Sequence, residues 1–264
     1  DYIDPTYHAE ASGRICANLD SWLLPKDAVL ELFNRRAKDS DLSVIEGVMG
    51  LYDGLKDTEL GSTAHLAKML KCPVILVVDA RSLSRSAGAV AIGYKEFDRG
   101  VDIAAIILNN IAGENHYRYI KASIEGKAKI PVLGHLPRDH GLELSERHLG
   151  LVPLGEKRLD VGFYKRISRL IRANIDLTGL LEISRQAKPL SFPRERIFGP
   201  PMHAGAGFVK GSPQGYVTIA VAQDEAFNFY YHDNLDILKH LGAKIVTFSP
   251  LRDRELPRAI DGLY

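Results

Sequence analysis

The sequence predicts an α/β protein built on a doubly wound, mostly parallel sheet, and three observations lead there. Short β-branched apolar runs recur along the first half of the chain. They show no polar alternation, as expected of strands covered on both faces. Stretches of helical length separate them, and this alternation is the pattern of parallel strands joined by crossover helices. After a segment crowded with proline and glycine, the same alternation starts again near residue 216.

Taken in order, residues 26–38 have helical composition, and LSVIE at 42–46 reads as a buried strand ending in Glu46. A helix is expected over 63–71, a strand at VILVVDA (74–80), a helix over 86–97 and a strand at IAAIILNN (103–110). A helix over 115–125 and a strand at VLGHL (132–136) follow. Residues 156–186 carry Leu, Ile, Arg and Lys at helical spacing and predict one or two closing helices. Residues 186–215 hold five prolines and five glycines, which disfavours regular structure and reads as a linker. Beyond it, a strand is expected at 216–224, a helix at 233–241 and a strand at 243–250. The expected organisation is a first domain over 1–185, a linker over 186–215 and the start of a second domain over 216–264. The chain opens on Asp1 without Met and stops when the second alternation has only begun, which reads as an internal fragment.

Composition narrows the chemistry. Across 264 residues, 34 basic and 33 acidic side chains leave a net charge of +1, so bulk electrostatics argue for neither nucleic acid nor an anionic membrane as partner. Small-molecule chemistry is the better expectation. The chain has no apolar run of about 18 residues and no signal-peptide pattern, so a cytoplasmic location is the default. Cys16 and Cys72 lack metal-ligand spacing and are expected to be reduced, packed thiols. The nine histidines form no HExxH pair, His135, His140 and His148 being five and eight residues apart, which argues against zinc. No GxSxG elbow supports a serine nucleophile.

The acids carry more information. Ligands of open parallel sheets bind at the carboxyl ends of the strands, and Glu46 stands at such an end, followed by Gly47 and Gly50. A carboxylate there suits Mg²⁺, although a solvated acid in a turn fits the same residues. Asp53, in LYDG, reads by itself as a turn residue. In DYIDP, Pro5 biases Asp4 towards extended backbone, which would put Asp1 and Asp4 on different faces. Asp79 ends another strand and suits either the crevice or a cap. Asn109 and Asn110 end a third, where an amide can meet a purine edge or simply form a turn. No GxxxxGK(S/T) phosphate loop occurs.

Together, DYIDP, GRICANLDSWLL, EGVMGLYDG, GSTAHLAKMLKCPVILVVDA, SAGAVAIGYKEFD and ERHLGLVPLGE closely resemble the cobyrinic acid a,c-diamide synthase family. The segment from IAVAQDEAF to the end is similar to the opening of that family's class I-type glutaminase domain. The resemblance covers nearly the whole chain. It implies an N-terminal ATP-binding domain, similar to dethiobiotin synthetase, joined to a glutaminase. It also implies a reaction: glutamine yields ammonia, ATP phosphorylates the a- and c-acetate carboxylates of a tetrapyrrole, and ammonia displaces phosphate. A carboxylate acylates poorly until its oxygen becomes a good leaving group, and Mg²⁺ offsets charge on the transferring phosphoryl.

Carried over residue by residue, the resemblance makes Glu46 the Mg²⁺ ligand and places Asp1 or Asp4 near metal and substrate. It puts Asp53 beside the reacting carboxylate, Asn109 at the adenine and Arg138, in LPRD, nearby. Arg14 and Arg147 are candidates for pairing with substrate carboxylates, since a guanidinium fork suits them. The implied partners are ATP, glutamine and the tetrapyrrole. Two departures stand out: the phosphate loop and the glutaminase cysteine are both absent from this sequence, so the 264-residue chain alone is expected to be inactive. A cobyric acid synthase-like amidase and a ParA- or MinD-like regulatory ATPase are the alternative readings.

Overall fold

The computed structural model describes residues 2–142, 144, 146–147, 150–151, 159–199 and 217–264. The chain begins with helices α1 (Asp4–Ser12), α2 (Lys26–Ala37) and α3 (Thr63–Leu70). Strands β1 (Val74–Asp79), β2 (Ile103–Ile111) and β3 (Val132–Pro137) then alternate with helices α4 (Ser86–Phe97) and α5 (Glu114–Lys127). The three strands form a parallel sheet in the order β1-β2-β3. A short antiparallel pair, β4 (Glu146–Arg147) and β5 (Gly150–Leu151), precedes helices α6 (Val161–Asn174) and α7 (Leu177–Ser184). A second parallel sheet contains β6 (Thr218–Ala222), β7 (Lys244–Phe248) and β8 (Gly262–Leu263) in the order β7-β6-β8, with α8 (His232–His240) between β6 and β7. The architecture is α/β with parallel strands, as the alternation predicts.

Local chemistry accounts for several boundaries. Ser62 caps α3: its hydroxyl accepts from the His65 N–H at 3.0 Å. Asp176 caps α7 by accepting from Gly179 N–H at 2.9 Å. Each bond satisfies a donor that the first helical turn leaves without a partner. Of the segment 156–186, read as one or two helices, the described residues form two, and Asp176 opens the second. At the first helix the expectation of extended backbone at Asp4 is overturned, because Asp4 begins α1. Pro5 sits in the first turn, where its missing N–H has no helical acceptor to lose.

The core of the first sheet lies where β2 runs between its neighbours. Ile106 and Leu108 are fully buried there, against Leu76 and Val78 of β1 and Ile120 and Ile124 of α5. Removing large apolar side chains from water, at roughly 25 cal/mol per Å², is the main force holding these layers together. Coverage is uneven at the edge: Leu76 and Val78 are buried, whereas Val77, on the opposite face of β1, is 62% exposed.

The strand expected at 42–46 does not form, and residues 42–48 are irregular. Among the described residues they make no backbone–backbone hydrogen bond, and Val44 is 85% exposed. An apolar β-branched run supplies propensity, but a strand exists only where a neighbour completes its ladder.

Gly134 has a structural role that its sequence context hides. It adopts φ +148°, and a Cβ at this position would stand 2.0 Å from the Asn174 carbonyl oxygen. That approach allows a bridge between Gly134 and Ile175 and the 2.7 Å bond from Asp176 N–H to the Leu133 carbonyl, which together dock the α6–α7 junction on β3. Gly134→Ala is therefore expected to cost about 2–4 kcal/mol of stability, read as a lower denaturant midpoint. An unchanged midpoint would contradict this packing.

Candidate functional site

Two groups of polar side chains form around the predicted site residues. The first is centred on Glu46. Its Oε2 lies 2.5 Å from His8 Nε2, on α1, and both side chains are about half exposed. Asp4, one turn before His8, senses the same carboxylate: burial and then the Glu46 charge push its carboxyl up, while His8 pulls it down. The Cys16 thiol is likewise pushed up, by burial and then by Glu46. Helix formation at Asp4 produces this grouping, since Asp4 and His8 are four residues apart and share one helix face.

The loop carrying Glu46 is anchored just after it. Leu51 is buried and its carbonyl accepts from Ala64 N–H at 2.9 Å, while the Tyr52 hydroxyl donates to the Tyr94 carbonyl at 2.5 Å. Asp53 is used within the loop: its carboxylate accepts from Gly50 N–H at 3.0 Å. A Cβ on Gly50 would fall 2.3 Å from that oxygen, so a side chain there would push the Asp53 carboxylate out of this bond.

The second group lies at the carboxyl ends of the first sheet. Parallel pairing aligns Asp79 with Asn109, and Ile111 with Pro137, directly before Arg138. Asp79 accepts from Arg81 through Nε at 2.8 Å and through the backbone N–H at 3.0 Å, and from Asn110 Nδ2 at 3.0 Å. The Arg81 side chain, its backbone N–H and the Asn110 amide hold the Asp79 carboxyl down at about 2. Asn109 Oδ1 accepts from Asn110 N–H at 2.9 Å, and Asn110 adopts φ 59°. Arg138 is exposed, and its backbone N–H donates to the Ile111 carbonyl at 3.2 Å.

The structure thus brings Asp4 and Glu46 together, sets Asp53 into its own turn, and places Asn109 and Arg138 on neighbouring strand ends. Asp1 lies outside the described residues, as does the side chain of Arg147. Arg14 donates to the Asp39 carbonyl at 3.0 Å. His8 and Arg81 are polar members that the motifs did not single out; the i, i+4 spacing from Asp4 was the available signal for His8. Cys16 and Cys72 are both free thiols. No described helix is long and apolar enough to cross a membrane.

Among the described residues no three His, Cys, Asp or Glu side chains group as a complete metal cage. Mg²⁺, however, is commonly held by one or two carboxylates, with waters and substrate phosphates completing its shell. Asp4 and Glu46 fit that pattern, and a shared cation would relieve the repulsion between them.

Comparison with known proteins adds independent information. An AAA domain family model matches residues 5–145. Cobyrinate a,c-diamide synthases align along the whole chain: those of Methanosarcina acetivorans (48% identical), Methanosarcina barkeri (45%) and Listeria innocua (43%) are covered over 53%, 54% and 56% of their own lengths. The chain therefore spans about half the length of the curated relatives it matches. No solved structure matches it significantly.

The depressed Asp79 carboxyl yields a titration prediction. Its charge, and the contacts that depend on it, persist through the neutral and mildly acidic range and are lost as pH falls through about 2. Followed by carboxyl NMR, the midpoint should rise towards the ordinary carboxylate range in Arg81→Ala. A midpoint unmoved by that substitution would show that Arg81 does not hold the charge.

Proposed function

Because the chain belongs to the AAA domain family, we propose that it is part of an ATP-dependent, glutamine-using ligase that amidates the a- and c-acetate carboxylates of a cobyrinate-type tetrapyrrole. The observation that carries this reading is the alignment of the whole chain, at up to 48% identity, with relatives named cobyrinate a,c-diamide synthase. In this reading residues 1–185 belong to the ATP-using domain, 186–215 to a linker and 216–264 to the start of the glutaminase, in a cytoplasmic enzyme of corrin synthesis.

The roles follow from the chemistry each group can perform. Glu46, with Asp4 as second carboxylate, holds Mg²⁺, which when bound offsets charge on the phosphoryl passing from ATP to the substrate. His8, hydrogen-bonded to Glu46, orients that carboxylate, as partners of ligating groups commonly do. Asp53 completes the turn that presents Glu46 and faces the substrate carboxylate. Asn109 and Arg138, at adjacent strand ends, receive the nucleotide in the crevice where open parallel sheets bind ligands. Asp1 is carried as a further acid of the reaction. Ammonia from glutamine then displaces phosphate from the acyl phosphate.

The test uses the full-length protein with cobyrinate, ATP, Mg²⁺ and glutamine, following diamide formation chromatographically. Glu46→Gln should lower kcat on the order of 100-fold and weaken Mg²⁺ dependence, since a lost carboxylate ligand removes several kcal/mol of charge stabilisation. Wild-type protein that forms no amide on cobyrinate, hydrogenobyrinate or nickel-sirohydrochlorin would overturn the reading. A Glu46→Gln enzyme with unaltered Mg²⁺ dependence would overturn the assigned role.

A further inference from the structure

The seam between the two sheets contains buried polar groups that the proposed chemistry does not use. Glu31, in the middle of α2, is 5% exposed. Its carboxylate accepts from three consecutive backbone N–H groups far along the chain: Arg196 at 2.8 Å, Ile197 at 2.9 Å and Phe198 at 2.8 Å. Four and five residues further along α2, Arg35 lies over the Phe198 ring at 3.9 Å, and Arg36 donates to Asp233 at 2.5 Å and Asp236 at 2.9 Å. Both aspartates are on α8, and Asp233 is 8% exposed. At the other end of α8, His240 donates to the Gly199 carbonyl at 2.8 Å and meets Phe198 edge-on.

One face of α2 therefore grips both the strap over 196–199 and the helix of the second sheet. Stability alone does not call for such a joint, because well-packed apolar residues generally hold a contact as firmly as buried ion pairs. Buried charges differ in tolerating few alternative arrangements: a small slide would leave the Glu31 carboxylate or the Arg36 guanidinium without partners, at a cost of several kcal/mol. The joint is thus suited to setting one register between the sheets. Register matters if ammonia is made on one side and consumed on the other, because ammonia that escapes into neutral water is protonated and no longer attacks an acyl phosphate.

We infer that Glu31 and Arg36 are positioning residues that lock α2 to the 196–199 strap and α8, and so couple glutamine hydrolysis to amide formation. The inference rests on the amidoligase reading above. None of the predicted site residues contributes to the joint, so it can be altered without substituting them.

The experiment uses the full-length enzyme and its Glu31→Gln and Arg36→Met variants, measuring glutamate released per amide formed and, separately, amide formation driven by ammonium. Both variants should raise the glutamate-to-amide ratio at least about threefold while ammonium-driven synthesis stays within about twofold of wild type, since misplacement of delivered reactant lowers its effective concentration. An unchanged ratio in the variants, or a parallel fall of glutamine- and ammonium-driven synthesis, would overturn the inference. If Glu31→Gln fails to fold, Arg36→Met decides by the same criteria. Wild-type enzyme inactive with ammonium as well as glutamine would instead sink the functional reading, which keeps the two failures apart.

Discussion

The arrangement of the first sheet depends on the parallel pairing of β2 with β1 on one side and β3 on the other. Ile106 and Leu108 have no exposure, so β2 cannot shift by one residue without turning buried side chains out of the core. Because all three strands run the same way, their carboxyl ends collect at one edge, and Asp79, Asn109 and Arg138 are neighbours for that reason. The close packing at Gly134 adds the α6–α7 junction to the same strand. A packing constraint in the core thereby becomes a polar surface at its end.

The Glu46 group is built differently. It depends on a helix turn at one side and an anchored loop at the other, with no ladder to fix Glu46 itself. Leu51 and Tyr52 hold the loop after the acid, and α1 brings Asp4 and His8 to it. The electrostatics of the two groups differ accordingly. Asp79 is surrounded by donors and keeps its charge to about 2, whereas Asp4 is half-buried beside another carboxylate and is pushed the other way. A carboxylate already satisfied by an arginine and an amide has little capacity left for a cation; a repelling pair has much more. This contrast supports the proposal of Glu46 and Asp4, and not Asp79, as the acids that would hold Mg²⁺.

Between the sheets, the polar joint around Glu31 and Arg36 shows a third use of charge. There Glu31 and Asp233 are buried and Arg36 is half-buried, and the carboxylates are held by backbone N–H groups or by the Arg36 guanidinium, which suits them to define geometry. It joins residues more than 160 positions apart in sequence.

The sequence by itself determined the α/β class, five of the six expected strands, all but the one at 42–46, and the acids and amides worth watching. Those properties reside in local periodicity and residue type, as in the apolar run of β2 or the helical stretch over 86–97. Whether LSVIE became a strand was a tertiary matter, because a strand needs a partner and residues 42–48 have none among the described residues. So was the helix at Asp4, where Pro5 served as a first-turn residue, and with it the meeting of Asp4, His8 and Glu46. Asp79 with Arg81 and Asn110, Gly134 against Asn174, and Glu31 with the strap at 196–198 were equally invisible beforehand. Each depends on bringing distant backbone to within hydrogen-bond or van der Waals distance, a quantity that no local pattern encodes.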